Sequence, residues 1–260
     1  MGVVNVTPDS FSDGGRYLDH DAAIAQGRRL VADGADVVDV GGESTRPGAE
    51  PVALDEELRR VLPVVEALAA HVRVSIDTRK PEVAAAAIAA GATLVNDVSA
   101  SLHEVAADHG VGWVAMHMQG DPATMQDEPR YHDVVGQVRD HLVERAETAR
   151  AAGVGEIWID PGIGFGKTHE HNLALLGRID VLVATGLPVV VGTSRKGFLG
   201  RLLAASDGVA DPVPTDDRLE GSLATATWAL ARGVAMVRAH DVRPTAQAVR
   251  VVAAPIAEPT

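Results

Sequence analysis

Short apolar runs rich in β-branched residues alternate along the whole chain with longer stretches whose apolar positions recur at helical spacing. The runs are Val3 to Val6, Val37 to Val40, Val72 to Ile76, Thr93 to Val95, Gly112 to Met116, Ile157 to Asp160, Pro188 to Val191 and Ala235 to Val237. Each reads as a buried strand. Between them the pattern predicts a helix from about Asp21, with Gly34 just past its end, and another over Leu54 to Ala70 kinked at Pro63. A third opens on Pro81 and ends at Gly91, and an amphipathic helix follows the long loop from Met118 to about Asp133 and stops near Gly153. A short helix precedes the Asp/Pro-rich surface segment Ser206 to Asp217, an additional helix covers Arg218 to Arg232, and a last one covers Thr245 to Ala254.

Strand and helix alternating eight times in 260 residues predict a (β/α)8 TIM barrel, one domain over residues 1–260, with an extra helix before strand 8. A doubly wound open sheet is the rival, but the chain has no GxGxxG followed by an acid about 20 residues later. In a barrel all strands open their carboxyl ends onto one face, where active sites are built. Here the strands end beside Asn5, Asp39 with Glu43, Asp77, Asn96, His117, Asp160, Lys196, and Arg238 with His240. Any one of these could be a satisfied turn or core group. Together they predict a ligand, since each buried polar group left unpaired costs about 1–3 kcal/mol.

The rim divides by charge. Asp77, Asn96 and Asp160 offer acceptors and an amide to a flat heterocycle with adjacent N–H donors, whereas Lys196, Arg238 and His240 form a cationic sector suited to phosphate. Mg²⁺, which takes few protein ligands beside phosphate oxygens, is compatible with such a ligand. Zinc spacing and a nucleophile elbow are both missing from the sequence.

Composition narrows the partners. A formal net charge of −13 without a Lys/Arg cluster argues against a nucleic-acid surface, and no apolar run is long enough to cross a membrane. The chain contains no cysteine, which removes disulfides and thiolate chemistry and suits a cytoplasmic setting.

Seven segments, taken in order, resemble the dihydropteroate synthase family from end to end. They are Asn5 to Gly15, Gly42 to Gly48, Ser75 to Thr78, Val95 to Asp97, Asp160 to Phe165, Ser194 to Lys196, and Arg238 to Asp241. The resemblance implies condensation of 6-hydroxymethyl-7,8-dihydropterin diphosphate with 4-aminobenzoate in folate biosynthesis, the step blocked by sulfonamides. It assigns the pterin to Asp77, Asn96, Met116, Asp160, Phe165 and Lys196. It assigns diphosphate and Mg²⁺ to Asn5, with Arg238 and His240 clamping the diphosphate. Asp13 would lie near the reacting methylene, and Phe11, Thr45, Arg46, Pro47 and Gly197 around aminobenzoate. The catalytic set it implies is Asp13, Lys196, Arg238 and His240, in a homodimer formed through the later helices.

Two departures stand out. Several family members carry a hydroxyl residue where this chain has Gly197, so helix N-terminal amides would have to meet the aminobenzoate carboxylate. Members also carry a strand pair ahead of strand 1, and here Met1 immediately precedes it, so little or no cap is expected and the barrel bottom should be partly open. The competing readings are a pterin-dependent methyltransferase barrel, which needs no cationic diphosphate sector, and a catalytically silent pterin-binding paralogue. A Schiff-base aldolase built on Lys196 is a third. The intact first and second loops favour the synthase.

Overall fold

The computed structural model describes residues 1–7, 19–44, 49–121 and 124–253. Among them, strands β1 (Gly2–Asn5), β2 (Val37–Gly41), β3 (Arg73–Asp77), β4 (Leu94–Asp97), β5 (Gly112–Met116) and β6 (Ile157–Asp160) pair in sequence order, all parallel. Two short strands, β7 (Val190–Val191) and β8 (Met236–Val237), pair with each other. Backbone hydrogen bonds join this pair to the larger sheet on both sides. Ile159 N donates to Pro188 O at 3.0 Å on one side; on the other, Val3 N donates to Ala239 O at 3.2 Å and Ala239 N to Met1 O at 3.0 Å. The ring of strands is closed, as the (β/α)8 expectation requires.

Helices α1 (His20–Ala32), α2 (Leu54–Ala69), α3 (Pro81–Ala89), α4 (His103–His109) and α5 (Val134–Ala151) connect the first six strands. Then come α6 (His169–Gly177), α7 (Asp180–Val183), α8 (Gly197–Asp207), the additional helix α9 (Leu219–Ala231), and α10 (Val242–Ala253). The starts follow local chemistry. Asp19 caps α1 by accepting from Ala22 N, Asp133 caps α5 by accepting from Gly136 N, and Pro81 opens α3. Helix α2 runs on through Pro63. Helix α10 begins at Val242 rather than near Thr245, because Pro244 falls in the first turn, where its missing N–H removes no helical bond.

Alternation sorts the strand residues into two layers. Val38, Val40, Val74, Ile76, Val95 and Ile159 face outward and form the main core with the helices. A smaller cluster fills the barrel: Val37, Leu94, Val114 and Val190 are buried there, with Met1, Trp158 and Met236 half-buried against them. These three side chains occupy the bottom. Beside them Arg73 forms a bidentate pair with Glu156 at 2.9 and 2.6 Å. Above the apolar plug the same inward positions become polar: Asn5, Asp39, Asp77, Asn96, Asp160 and Arg238. Register holds several at one level, with Asn5 opposite Gly41, Gly41 opposite Asp77, and Asp77 opposite Asn96.

Candidate active site

The centre of the upper barrel is Asp39. It stands two residues past Val37 on β2, so the inward face of that strand changes from apolar to ionic within one step, and the residue is fully buried. Its Oδ2 accepts from Asn96 Nδ2 at 3.0 Å and from Arg238 Nε at 2.6 Å, while Oδ1 is buried without a hydrogen-bond partner among the described residues. Arg238 Nη2 also donates to Asp77 Oδ2 at 2.8 Å. One guanidinium thus bridges two acids. Burial works against its charge, but Asp39 and Asp77 outweigh that and hold it above the ordinary arginine range. Burial pushes the Asp77 carboxyl up; Arg238 opposes this, and the charges on Asp39 and Glu57 add to it.

This geometry corrects the division of the rim by charge. Strand β8 closes against β1, whose other neighbour is β2, so a long side chain on β8 reaches the acids of β2 and β3. Arg238 sits among the acids rather than in a separate cationic sector. His240 is not cationic either. Burial, with the nearby charges of Arg238, Arg195 and Lys196, lowers its imidazole to about 3, so it is neutral at physiological pH. Its Nδ1 lies 3.1 Å from Ser194 Oγ, which also accepts from His240 N at 3.1 Å. The ring can therefore offer a ligand only Nε2.

Lys196 stands at the N-cap of α8 and lies over the opposite wall, its Nζ 4.1 Å from the centroid of the half-buried Phe165 ring. The residue before it explains the placement. Arg195 adopts a left-handed backbone (φ 61°), uncommon for a side chain of its size, and is held there from three directions. It pairs with Asp241 at 2.9 and 2.6 Å, its N donates to Ser222 Oγ at 3.0 Å, and its carbonyl accepts from Arg218 at 3.0 Å. The ends of β7 and β8 are thereby braced together. Gly197 is exposed, with open space where a Cβ would point.

Asp160 ends β6 and is buried, which pushes its carboxyl up; a hydrogen bond from Gly162 N at 2.7 Å and the charges of Lys196, Arg238 and Lys167 oppose that shift. Its register partner Met116, at the end of β5, is buried as well. Gly162 has φ 65°, and a Cβ there would fall 1.9 Å from His117 O. Gly162→Ala is accordingly expected to destabilise the fold by about 2–4 kcal/mol, from left-handed backbone strain and overpacking together. Urea denaturation checks it, and an unchanged midpoint would show that the loop can move aside.

Glu43, grouped above with the strand-end acids, has a structural partner set. It accepts from Arg79 Nε at 3.0 Å and Val52 N at 3.1 Å, and Lys80 bridges it to the buried Glu57. Burial alone would raise its carboxyl, but these donors, Lys80 first, hold it below the usual range. It anchors the base of the second loop. Further along that loop Thr45, Arg46 and Pro47 lie outside the described residues, as do Phe11 and Asp13 of the first loop.

The structure brings Asp77, Asn96 and Arg238 into one hydrogen-bonded cluster around Asp39, and sets Phe165 beneath Lys196 on the facing wall. Two contributors have roles that only the structure shows: Asp39, above only one of the strand-end acids, is the hub, and Ser194, above only part of the segment Ser194 to Lys196, holds His240. The signal for Asp39 is an acid inside the apolar run Val37 to Val40, and that for Ser194 is its place in the segment Ser194 to Lys196. Asn5 is half-buried at the end of β1. Among the described residues no group of three His, Cys, Asp or Glu side chains could hold a metal ion; the Asn5 amide oxygen is a hard donor that could join substrate oxygens and water. That donor set fits Mg²⁺.

A family profile described as pterin binding enzyme matches residues 1–240. The dihydropteroate synthase of Mycobacterium leprae is 49% identical over 263 residues, covering 98% of this chain and 92% of its own length. A solved Xanthomonas albilineans dihydropteroate synthase with 4-aminobenzoic acid superposes with a TM-score of 0.90 at 46% identity, covering 100% of this chain and 93% of that one. A structure of the Xanthomonas enzyme with 7,8-dihydropteroate gives 0.86 at 42% identity, covering 100% and 94%. With its closed barrel and ionic upper interior, the chain belongs to the pterin binding enzyme family and, within it, to the dihydropteroate synthases.

Proposed function

We infer that this chain condenses 6-hydroxymethyl-7,8-dihydropterin diphosphate with 4-aminobenzoate to give 7,8-dihydropteroate and diphosphate. The observation that carries the reading is the buried Asp39–Asn96–Arg238–Asp77 cluster at the mouth of a barrel whose relatives are dihydropteroate synthases. Asp77 and Asp160, acids at the ends of β3 and β6, suit a heterocycle that brings N–H groups. The pterin lies among Asp77, Asn96, Met116 and Asp160, beside Phe165 and the Lys196 side chain stacked on it. Asn5, Arg238 and the neutral Nε2 of His240 receive the diphosphate. Mg²⁺, held by the Asn5 amide oxygen together with diphosphate oxygens, would neutralise charge on the leaving group. By the family resemblance Asp13, Phe11, Thr45, Arg46 and Pro47 serve the reacting methylene and aminobenzoate, and the amide at Gly197, where α8 begins, receives the aminobenzoate carboxylate.

The reaction follows from what such a site can do. The bond from the pterin methylene carbon to the diphosphate oxygen breaks with its electron pair leaving on diphosphate, because the electron-rich dihydropterin delocalises the resulting cation. The aminobenzoate nitrogen then attacks the methylene and releases one proton to solvent. No general base is needed, since the arylamine attacks neutral. The protein orients the ring, stabilises departing diphosphate and excludes water. A cytoplasmic homodimer is part of the same reading, with Leu202 on α8 and Trp228 on α9 exposed on the later helices. No described helix is long and apolar enough to cross a membrane.

The discriminating experiment is diphosphate release with and without 4-aminobenzoate in Mg²⁺. Release that depends strictly on the amine is the expected result. Binding of the pterin diphosphate without turnover in either condition would point to a silent pterin-binding protein instead.

A further inference from the structure

Lys167 has no part in the chemistry just described, yet it is one of the most buried charged groups, only 2% exposed. Its side chain folds back into its own loop. Nζ lies 2.9 Å from Phe165 O, 3.0 Å from Gly162 O, 3.2 Å from His117 O and 3.0 Å from His117 Nδ1. Among the described residues no carboxylate bonds to it. A cation has instead gathered backbone carbonyls from the ends of two strands, β5 and β6, and the backbone is pressed together around it: a Cβ on Gly166 would sit 2.3 Å from Gln119 O. The remaining groups of the loop are tied from outside, Gly164 O by Gln126 at 2.8 Å, Gly164 N by Asn172 at 2.7 Å and Gly166 O by Tyr131 Oη at 2.9 Å. Asp160 and Phe165 flank this knot on the side of the pocket.

We propose that Lys167 is a positioning residue for the pterin: its ammonium draws the ends of β5 and β6 together and so sets the orientation of Asp160 and the Phe165 ring. The proposal rests on the pterin reading of the site. Three protons meet four acceptors in the ammonium form. A neutral amine has two protons, so one carbonyl must let go. The groups around Lys167 are Asp160 from β6, His117 from the end of β5, His141 from α5, Tyr131 from the loop before α5, His171 from α6 and Lys196 from the N-cap of α8. Burial lowers the Lys167 ammonium to about 7, Lys196 adds to this, and Asp160 opposes it. His117 is lowered to about 3, first by burial and then by Lys167, and Tyr131 is raised to about 12 by burial, so neither changes charge near neutrality.

The sign of the effect separates positioning from stability. A lysine whose folded pKa lies below its unfolded value of about 10.4 makes the folded state more stable as pH rises between the two. Pterin affinity should move the other way, falling as the knot loses its third proton. The test is calorimetric binding of 6-hydroxymethyl-7,8-dihydropterin diphosphate to the wild-type chain from pH 6 to 9, with KM for both substrates and thermal midpoints for wild type, Lys167→Met and Lys167→Arg. A loss of pterin affinity on the order of tenfold across that range is expected in the wild type and absent in Lys167→Met. In Lys167→Met the KM for the pterin should rise at least about tenfold with that for 4-aminobenzoate nearly unchanged. Lys167→Arg, too large for the enclosed space, should not restore it. Wild-type affinity that is flat with pH, or equal rises in both KM values in step with a lost thermal midpoint, overturns the proposal. If Lys167→Met does not fold, the wild-type series is compared with the same series on Asp77→Asn, which removes the other pocket group shifted to about 7; a fall in affinity with pH that persists there supports the knot, and one that vanishes there overturns the proposal. Failure of the wild type to bind the pterin at any pH would instead remove the functional reading beneath it.

Discussion

Asp160→Ala weakens pterin binding by about 10² to 10⁴-fold, the loss expected when two charge-assisted hydrogen bonds of about 1.5–3 kcal/mol each disappear. The carboxylate is buried at the end of β6, where water cannot replace it as a partner for ring donors. Its other contact is a local one to Gly162 N, so the fold itself should lose only about 1 kcal/mol. That asymmetry makes the variant informative: affinity collapses while the thermal midpoint scarcely moves. Asp160→Asn keeps one acceptor and should fall between wild type and Ala. Calorimetry with the pterin gives the answer, and near-native affinity in the Ala variant would remove Asp160 from the pocket floor.

Arg238→Ala has the larger effect on the fold. It leaves Asp39, with no exposed surface, and Asp77 without the guanidinium that separates them. Breaking a buried pair by deleting one partner costs about 3–5 kcal/mol. The deficit should depend on pH with a definite sign. Without Arg238 the already raised Asp77 carboxyl rises further, so protonation relieves the repulsion at low pH and the loss grows as pH climbs through that elevated pKa. Urea denaturation at pH 5 and pH 8 should show a clear difference, and Arg238→Ala combined with Asp77→Asn should recover part of the loss at pH 8. A small deficit that is the same at both pH values would mean the cluster is not held by charge. Because this arginine lies among the acids, the variant is expected to lose pterin and diphosphate binding together, not diphosphate alone.

These two outcomes also mark where sequence and structure part company. The strands were readable because parallel strands buried on both faces are largely apolar until they approach the ligand face: Asp77, Asn96 and Asp160 stand at or next to strand ends, and Asp39 two residues before one. Helix α4 was not readable, since it is short and mostly polar. The turn that leads into it is held by Asp97, whose Oδ2 accepts from Ser101 N at 2.7 Å and Leu102 N at 2.6 Å, and Trp113 Nε1 reaches the same oxygen from β5. Lys167 stands in a Gly-rich loop whose sequence gives no sign of burial, and only the packed loop turns it inward.

By itself the sequence determined the alternation of strands and helices, the number of strand ends and the residue types standing at them. Each of those is a property of a few neighbouring residues, governed by local periodicity and turn chemistry. Tertiary structure alone decided who pairs with whom. Arg238 meets Asp39 across 199 positions and Asp77 across 161, contacts that exist only because β8 closes onto β1. Protonation followed from the same closure: His240 is neutral and Asp77 is raised because the barrel removes them from water and sets particular charges beside them. Desolvation and Coulomb interaction depend on distance through space, and separation along the chain carries no information about that distance until the barrel has closed.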